Sequence, residues 1–299
     1  MIEITPVVFT SNGVPLAGRF YRDTTSLAQT RPTVIVTGSW LTVKEQMAHR
    51  YAEQLAARGF TAFTFDFAGF GESDGVPRQT EMPARKIADI IAAAAFVDTQ
   101  SFVTRGGVGY LAICASAQYA LAAIARGAAI RAFAAVAGWF HDAGSVAGFY
   151  GGEPGVQQRL AWSRRATLAW LADRELELAP AYAVGDEHAG MFFELPYYAE
   201  AERGAVPEWK NEMAVMSWQH WLAFDGLRAG DDVRVPTLLV HSDGCVFPDH
   251  VRQLHARLGT AARLAWIDSG TQIDFYDQPA QVDAALAAVT EHFRRELAE

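Results

Sequence analysis

The chain has 299 residues, of which 51% are hydrophobic and 20% are charged, and its formal net charge is −9. This length allows one large α/β domain with an insertion, or two smaller domains, and the composition argues against a disordered chain. The negative charge, without any cluster of Lys and Arg, argues against binding to nucleic acid or to anionic membrane surfaces.

The compartment is indicated by the cysteines and by the apolar segments. Cys114 and Cys245 are too few for a disulfide framework, so we expect free thiols in a reducing compartment. The first five residues lack the pattern of a signal peptide, and the apolar stretch at 87–97 contains Asp89 and is shorter than the roughly 20 residues of a membrane span. We therefore expect a cytoplasmic protein whose partner is a small-molecule substrate, with no nucleic acid and no membrane, and the sequence leaves a homodimer open.

The first predicted elements are a β-hairpin and a buried strand. Residues 2–10 and 14–21 are extended segments on either side of Asn12-Gly13, which is the strongest short hairpin signal. Residues 33–38 form a nearly continuous β-branched run, which is typical of a strand that is buried on both faces.

Helices and strands then alternate along the chain. Thr42 and Glu45 have the spacing of a capping box, which predicts a helix that ends at Gly59. Further strands are predicted at 61–66, 107–113 and 132–137, and further helices at 81–97 and 115–126. Such alternation predicts a mostly parallel sheet with helices on both faces.

This alternation stops between residues 141 and 232, where helical patterns and loops occur without a buried strand. Five of the eight tryptophans lie in this segment, namely Trp162, Trp170, Trp209, Trp218 and Trp221. The pattern resumes with strands at 235–241 and 263–267 and with helices at 248–258 and 281–297. We predict one core, formed by residues 1–140 and 233–299, that is interrupted by a helical cap or lid at 141–232.

Cys114 lies where a predicted strand passes directly into a predicted helix. A nucleophile elbow needs small residues two positions before and two positions after the nucleophile, because the turn is tight. Ala112 and Ser116 meet this requirement around Cys114, whereas Ser116 as the nucleophile would be followed by the large Gln118. The register favours Cys114 as the nucleophile. The alternative is a small buried residue, since free cysteines are among the most buried residues.

On these features the chain resembles the α/β-hydrolase superfamily, and it is similar to the dienelactone-hydrolase-like and acyl-peptidase-like branch, some members of which carry cysteine at the elbow. The resemblance rests on the order of motifs along nearly the whole chain. These are the strand before Gly38, the Gly-x-Gly-x-Ser loop of Gly69, Gly71 and Ser73, the elbow, the insertion and the closing strand–helix–strand. It implies an α/β-hydrolase fold, with a doubly wound sheet and a helical cap after the strand that follows the elbow helix.

The resemblance also implies an oxyanion hole and a catalytic acid. One backbone N–H donor would come from Ala115 and the other from Ser39 or Trp40, and the helix capped by Thr42 would add its positive end. Trp40 can equally be a packing aromatic, because only its backbone N–H is required. Asp243 follows the resumed strand, where the family places its acid, and the alternative is an ordinary turn aspartate.

The family's histidine would lie in the loop before the last helix, where this chain has Gln272. Glutamine cannot accept a proton near neutral pH, so it cannot be a general base. In one hypothesis the helix N-terminus lowers the pKa of the Cys114 thiol, and Gln272 orients substrate or water. In a second hypothesis His141 is the base and is oriented by Asp142 or Asp243. His141 can also be a structural residue at the start of the insertion.

These observations favour a hydrolase or acyl-transfer enzyme that acts on an ester, thioester or lactone of a mainly apolar substrate. Two alternatives stay open because of Gln272. One is a non-hydrolytic lyase, cyclase or isomerase, and the other is a degenerate hydrolase-fold protein that only binds a ligand. No group of His, Cys and carboxylates has metal-ligand spacing, so we expect no metal and no cofactor.

Overall fold

The computed structural model describes residues 1–298. The strands are β1 (Ile2–Ser11), β2 (Val14–Asp23), β3 (Arg31–Thr37), β4 (Thr61–Phe65), β5 (Val103–Ile113), β6 (Ala132–Val136), β7 (Leu178–Ala179), β8 (Met213–Ala214), β9 (Thr237–His241) and β10 (Ala262–Trp266). The α-helices are α1 (Met47–Ala57), α2 (Pro83–Asp98), α3 (Ser116–Ala125), α4 (Ala143–Val146), α5 (Gly152–Asp173), α6 (Pro196–Ala199), α7 (Ser217–Leu222), α8 (Pro248–Leu258), α9 (Asp274–Asp277) and α10 (Pro279–Glu296).

Eight strands form one sheet in the order β1-β2-β4-β3-β5-β6-β9-β10. The hairpin β1–β2 turns at Asn12 and Gly13, both at positive φ, and β2 pairs antiparallel with β4. All other neighbouring strands are parallel. Strands β4, β6 and β9 are buried along their whole length, because helices cover the sheet. The predicted mostly parallel sheet is confirmed.

The segment between β6 and β9 contributes no strand to the large sheet in residues 1–298. It contains α4 to α7 and a two-stranded sheet of β7 and β8. Helix α5 is its longest element and carries charged residues along its length. None of the helices in the described part of the chain is both long enough and apolar enough to span a bilayer.

The predicted start of α1 is wrong. The helix begins at Met47, and the Thr42 hydroxyl donates to the backbone carbonyl of Ser39 at 2.7 Å instead of capping a helix. The Gln46 side chain accepts from the Val43 N–H at 3.0 Å, which folds residues 39–46 into a turn. Thr42 therefore contributes no helix terminus to the region after β3.

Candidate active site

Cys114 forms a sharp turn between β5 and α3. Its φ of 58° lies in the left-handed region, which a residue with a side chain rarely adopts without constraint from its surroundings. The Ser116 hydroxyl lies 3.1 Å from the Thr37 carbonyl and 3.2 Å from the Ile113 carbonyl, and the Cys114 carbonyl accepts from the Trp139 N–H at 3.0 Å. These bonds tie the turn to its neighbours and hold the strained conformation.

Cys114 lines a cavity of about 90 Å³ at the carboxyl ends of the parallel strands. Much of the wall is aromatic and comes from the segment between β6 and β9, namely Trp139, Phe149, Tyr150, Phe193, Tyr198 and Trp221. Among residues 1–298, no Asp, Glu, His, Lys or Arg lines this cavity. The polar groups that face it are a thiol, hydroxyls and one amide.

Gln272 is fixed by three hydrogen bonds. Its Oε1 accepts from the Val246 N–H at 3.1 Å, and this bond fixes the orientation of the amide, because an amide nitrogen cannot accept that proton. That nitrogen donates to the Ala137 carbonyl at 2.7 Å and to the Tyr276 hydroxyl at 3.3 Å. Tyr276 in turn donates its only hydroxyl proton toward Ser39 Oγ at 3.4 Å. The direction of this chain of hydrogen bonds is therefore set by Gln272.

Burial raises the pKa of the Cys114 thiol above its ordinary value. Hydrogen bonding from the Ser39 and Tyr276 hydroxyls, the Ala115 N–H and Gln272 opposes this rise without overcoming it. This direction is opposite to the lowered thiol pKa that the first hypothesis expects at the helix N-terminus. The free-energy cost of removing the thiolate from water exceeds the stabilisation that these hydrogen-bond donors provide.

The three predicted oxyanion-hole residues lie around the elbow. Ser39 and Trp40 follow β3 and line the same cavity as Cys114, and Ala115 is the next residue after it. Within residues 1–298, neither the Trp40 nor the Ala115 N–H donates to a backbone carbonyl. The Trp40 ring stacks on Trp221 with centroids 4.5 Å apart, so this side chain packs while its backbone N–H stays free of a backbone partner.

His141 is not placed as a base for Cys114, which overturns that expectation. Its Nδ1 accepts from the Trp139 indole N–H at 2.7 Å, and its Nε2 donates to the Trp221 carbonyl at 2.9 Å. The side chain is fully buried, does not line the cavity, and burial lowers its pKa to about 4. His141 is a neutral structural residue that joins β6 to the following segment.

Asp243 is also outside the cavity, so its assignment as the catalytic acid is wrong. The carboxylate is 72% exposed, pairs with Arg252 on α8 and accepts from the Trp266 indole N–H at 3.3 Å. These hydrogen bonds lower its pKa. Asp142 caps α4 through the Gly144 and Ser145 N–H groups, so it is not free to orient a base either.

Two tyrosines in the cavity were not predicted from the sequence. Tyr276 lies four residues after Gln272 and faces Cys114, and Tyr198 comes from α6. Burial raises the pKa of both hydroxyls well above 10, and the Cys114 thiol contributes to the rise. The i, i+4 spacing of Gln272 and Tyr276 is a signal that could have linked them, because such residues share a helix face.

Two known proteins are similar in sequence to part of the chain, whereas similarity to a solved structure extends over nearly all of it. The Escherichia coli (strain K12) protein YcjY is 39% identical over 94 residues, which are 31% of this chain and 31% of that protein. The thiohydrolase aneE of Aspergillus aculeatus is 28% identical over 114 residues, which are 38% of this chain and 35% of that protein. These matches span about a third of each relative's length.

The crystal structure of the α/β hydrolase GrgF from Penicillium sp. sh18 superposes with a TM-score of 0.82 at 20% identity. The superposition covers 99% of this chain and all of that chain, and it confirms the predicted α/β-hydrolase fold. The family model for X-Pro dipeptidyl-peptidases (S15 family) matches residues 12–270. Because that match covers most of the sequence, the chain belongs to the X-Pro dipeptidyl-peptidase (S15) family and is an α/β-hydrolase-type enzyme.

Proposed function

We propose that the protein transfers acyl groups through Cys114, from an ester, thioester or lactone whose acyl part is mainly apolar. The observation that carries this proposal is the position of the thiol. Cys114 sits on a constrained left-handed turn and lines an apolar cavity next to two backbone N–H groups without backbone partners. A strained turn that presents a reactive side chain to a cavity is typical of a catalytic nucleophile.

The first step is attack of the Cys114 sulfur on the carbonyl carbon of the substrate. A new S–C bond forms, the carbonyl electron pair moves to oxygen, and the Trp40 and Ala115 N–H groups stabilise that oxyanion. Collapse of the intermediate breaks the bond to the leaving group and leaves an acyl group on Cys114. An acceptor then takes the acyl group and Cys114 regains its proton.

The walls of the cavity select the acyl part. They are aromatic and aliphatic, so they favour an apolar acyl group, and a volume of about 90 Å³ suits a short one. The segment between β6 and β9 supplies more than half of the lining residues, which supports the role of residues 141–232 as a cap. The likeness to a protein named a thiohydrolase supports thioesters among the substrates.

Gln272 and Tyr276 orient groups at the sulfur, and neither of them is a base. The fixed Gln272 amide directs the single Tyr276 proton toward Ser39, which leaves the Ser39 hydroxyl proton free to stabilise negative charge on the Cys114 sulfur.

The test is covalent trapping of the acyl group on Cys114. We expect 4-nitrophenyl butanoate to leave one butanoyl group on the protein, located on Cys114 by peptide mass spectrometry. Cys245→Ala is the matched control, because Cys245 is the second buried free cysteine and lies outside the cavity lining. Cys245→Ala should still be acylated and Cys114→Ala should not.

An unmodified Cys114 under conditions that acylate a small-molecule thiol would contradict the proposal. That result would favour a protein which binds a ligand without reacting with it.

A further inference from the structure

The acyl donors and acceptors that can react at Cys114 depend on which ionisable side chains reach the cavity. The lining includes no carboxylate, imidazole, ammonium or guanidinium group among the described residues. The candidates that the sequence suggested are engaged elsewhere, since both nitrogens of His141 are hydrogen-bonded and Asp243 pairs with Arg252 on the surface. No side chain at the cavity can take up and release a proton near neutral pH.

The absence of a proton-transferring side chain first restricts the leaving group. An amine or alcohol leaves a tetrahedral intermediate slowly unless an acid with a pKa near the working pH protonates it. A thiol with a pKa of about 8.5 leaves as a thiolate and needs no proton donor. Peptide bonds and oxygen esters are therefore poor donors for this site, although the family is named for a peptidase.

The absence of a base also restricts the acceptor of the acyl group. Water and alcohols must lose a proton to attack the acylated cysteine, and no base lines the cavity to remove it. A thiol supplies a few per cent of thiolate by itself near pH 7 and is a strong nucleophile in that form.

We infer that the enzyme exchanges thioesters: Cys114 accepts a short apolar acyl group from a thioester and passes it to a second thiol. This inference rests on the proposed function. In the first half Cys114 attacks as its thiolate after losing its proton to solvent, the Cys114 S–C bond forms, the donor's C–S bond breaks, and the donor leaves as a thiolate. In the second half the acceptor thiolate, whose proton has gone to solvent, bonds to the acyl carbon, the Cys114 S–C bond breaks, and Cys114 takes up a proton from solvent. No oxidant, reductant or net water is consumed.

The experiment compares two isosteric donors, S-(2-acetamidoethyl) butanethioate and 2-acetamidoethyl butanoate. The rate of butanoyl transfer to Cys114 is measured by intact mass for each donor. Each rate is divided by the rate with N-acetylcysteine amide, which removes the intrinsic difference between the donors. We expect the enzyme to favour the thioester by about 100-fold after this correction, because the oxygen ester lacks its general acid.

A second measurement follows the fate of the acyl group. Acylated protein is freed of donor and mixed with buffer or with millimolar N-acetylcysteamine. We expect the thiol to discharge Cys114 at least about tenfold faster than buffer and to be recovered as its butanoyl thioester.

The outcomes distinguish failure of thioester exchange from failure of Cys114 acylation. Equal corrected rates for both donors, or discharge by water as fast as by thiol, would overturn thioester exchange while acylation of Cys114 still stands. If neither donor nor 4-nitrophenyl butanoate acylates Cys114, the proposed function is wrong and the exchange reaction with it.

Discussion

Two buried polar regions lie at the carboxyl ends of the parallel strands, and they differ in charge. After β3 and β4, the Lys44 ammonium lies 2.7 Å from Asp66 and 2.8 Å from Glu45, and the Lys44 and Asp66 side chains are 1% and 0% exposed. After β5, the cavity around Cys114 has no ionised side chain in its lining among residues 1–298. The same edge of the sheet thus holds a charged cluster and a charge-free cavity.

This fold can bury charged side chains when each of them has a partner of opposite charge. Lys44 bonds to Asp66 through both its ammonium and its backbone N–H, which offsets part of the cost of removing the pair from water, although burial still raises the pKa of Asp66. Burial likewise raises the pKa of the Cys114 thiol, and there only hydrogen-bond donors oppose the rise because the cavity lining has no charged partner. Lack of a base at Cys114 is therefore a property of that cavity and not a general limit of the fold.

The largest effect is expected from removing the cation of the charged cluster. Lys44→Met leaves the buried Asp66 carboxylate without its cation, while Glu45 keeps Arg19 at 2.8 Å, and the loss at Asp66 should lower the free energy of unfolding by about 3–5 kcal/mol. The measurement is urea denaturation, and Arg263→Gln is the control because its ion pair with Glu291 is exposed and worth less than about 1 kcal/mol. Equal urea midpoints for the two variants would show that the buried cluster stabilises the fold no more than an exposed ion pair does.

A smaller effect is expected from bringing a titratable group into the charge-free cavity. Gln272→His places an imidazole beside Tyr276 and Cys114, where it can remove the thiol proton and activate water. Hydrolysis of 2-acetamidoethyl butanoate should rise by about 100-fold and the preference for the thioester should fall. Gln272→Leu is the control, since it removes the amide without adding a base. Similar hydrolysis by both variants would mean that a missing base does not limit the reaction.

The smallest effect concerns the pH dependence of the thiol itself. Because the pKa of Cys114 is raised, the thiolate fraction is small at pH 7, and alkylation by iodoacetamide should accelerate about tenfold per pH unit through pH 8 without a plateau. Tyr276→Phe removes a hydroxyl that opposes the rise of the Cys114 pKa, so this variant should have a still higher thiol pKa and slower alkylation at pH 7, by about threefold to tenfold.

Tyr51→Phe serves as the control for this last variant. The Tyr51 hydroxyl donates to the Phe275 carbonyl at 2.7 Å, so its removal disturbs α9 without removing a donor to sulfur. A profile that shifts equally in both variants would assign the effect of Tyr276 to packing. A wild-type plateau near pH 7 would contradict the raised pKa.

The sequence was sufficient for features that depend on local pattern. The Asn12-Gly13 hairpin, the buried strands and the passage from strand to helix at Cys114 follow from turn chemistry, β-branched runs and small neighbours. Gln272 in place of the family histidine was also visible, and the structure places it in the cavity.

The partners of the polar side chains could not be predicted, because they come from distant parts of the chain. His141 is held by Trp221, 80 residues later, and Asp243 is drawn outward by Arg252 on α8. Tyr198 reaches the cavity from a segment without a recognisable motif. Residues at a strand end share an edge of the sheet, but tertiary contacts decide which of them turn inward.

Three of the eight tryptophans, Trp40, Trp139 and Trp221, line the same cavity as the Cys114 sulfur. Trp40 stacks on Trp221 with ring centroids 4.5 Å apart, and Trp139 packs against Trp221 at an interplanar angle of 42° with centroids 5.5 Å apart. Sulfur in its thiol and thiolate forms quenches indole emission at short range, and a bound acyl group changes the polarity of the enclosed space. The ultraviolet fluorescence of the unlabelled protein therefore gives an internal optical signal for occupancy of the cavity.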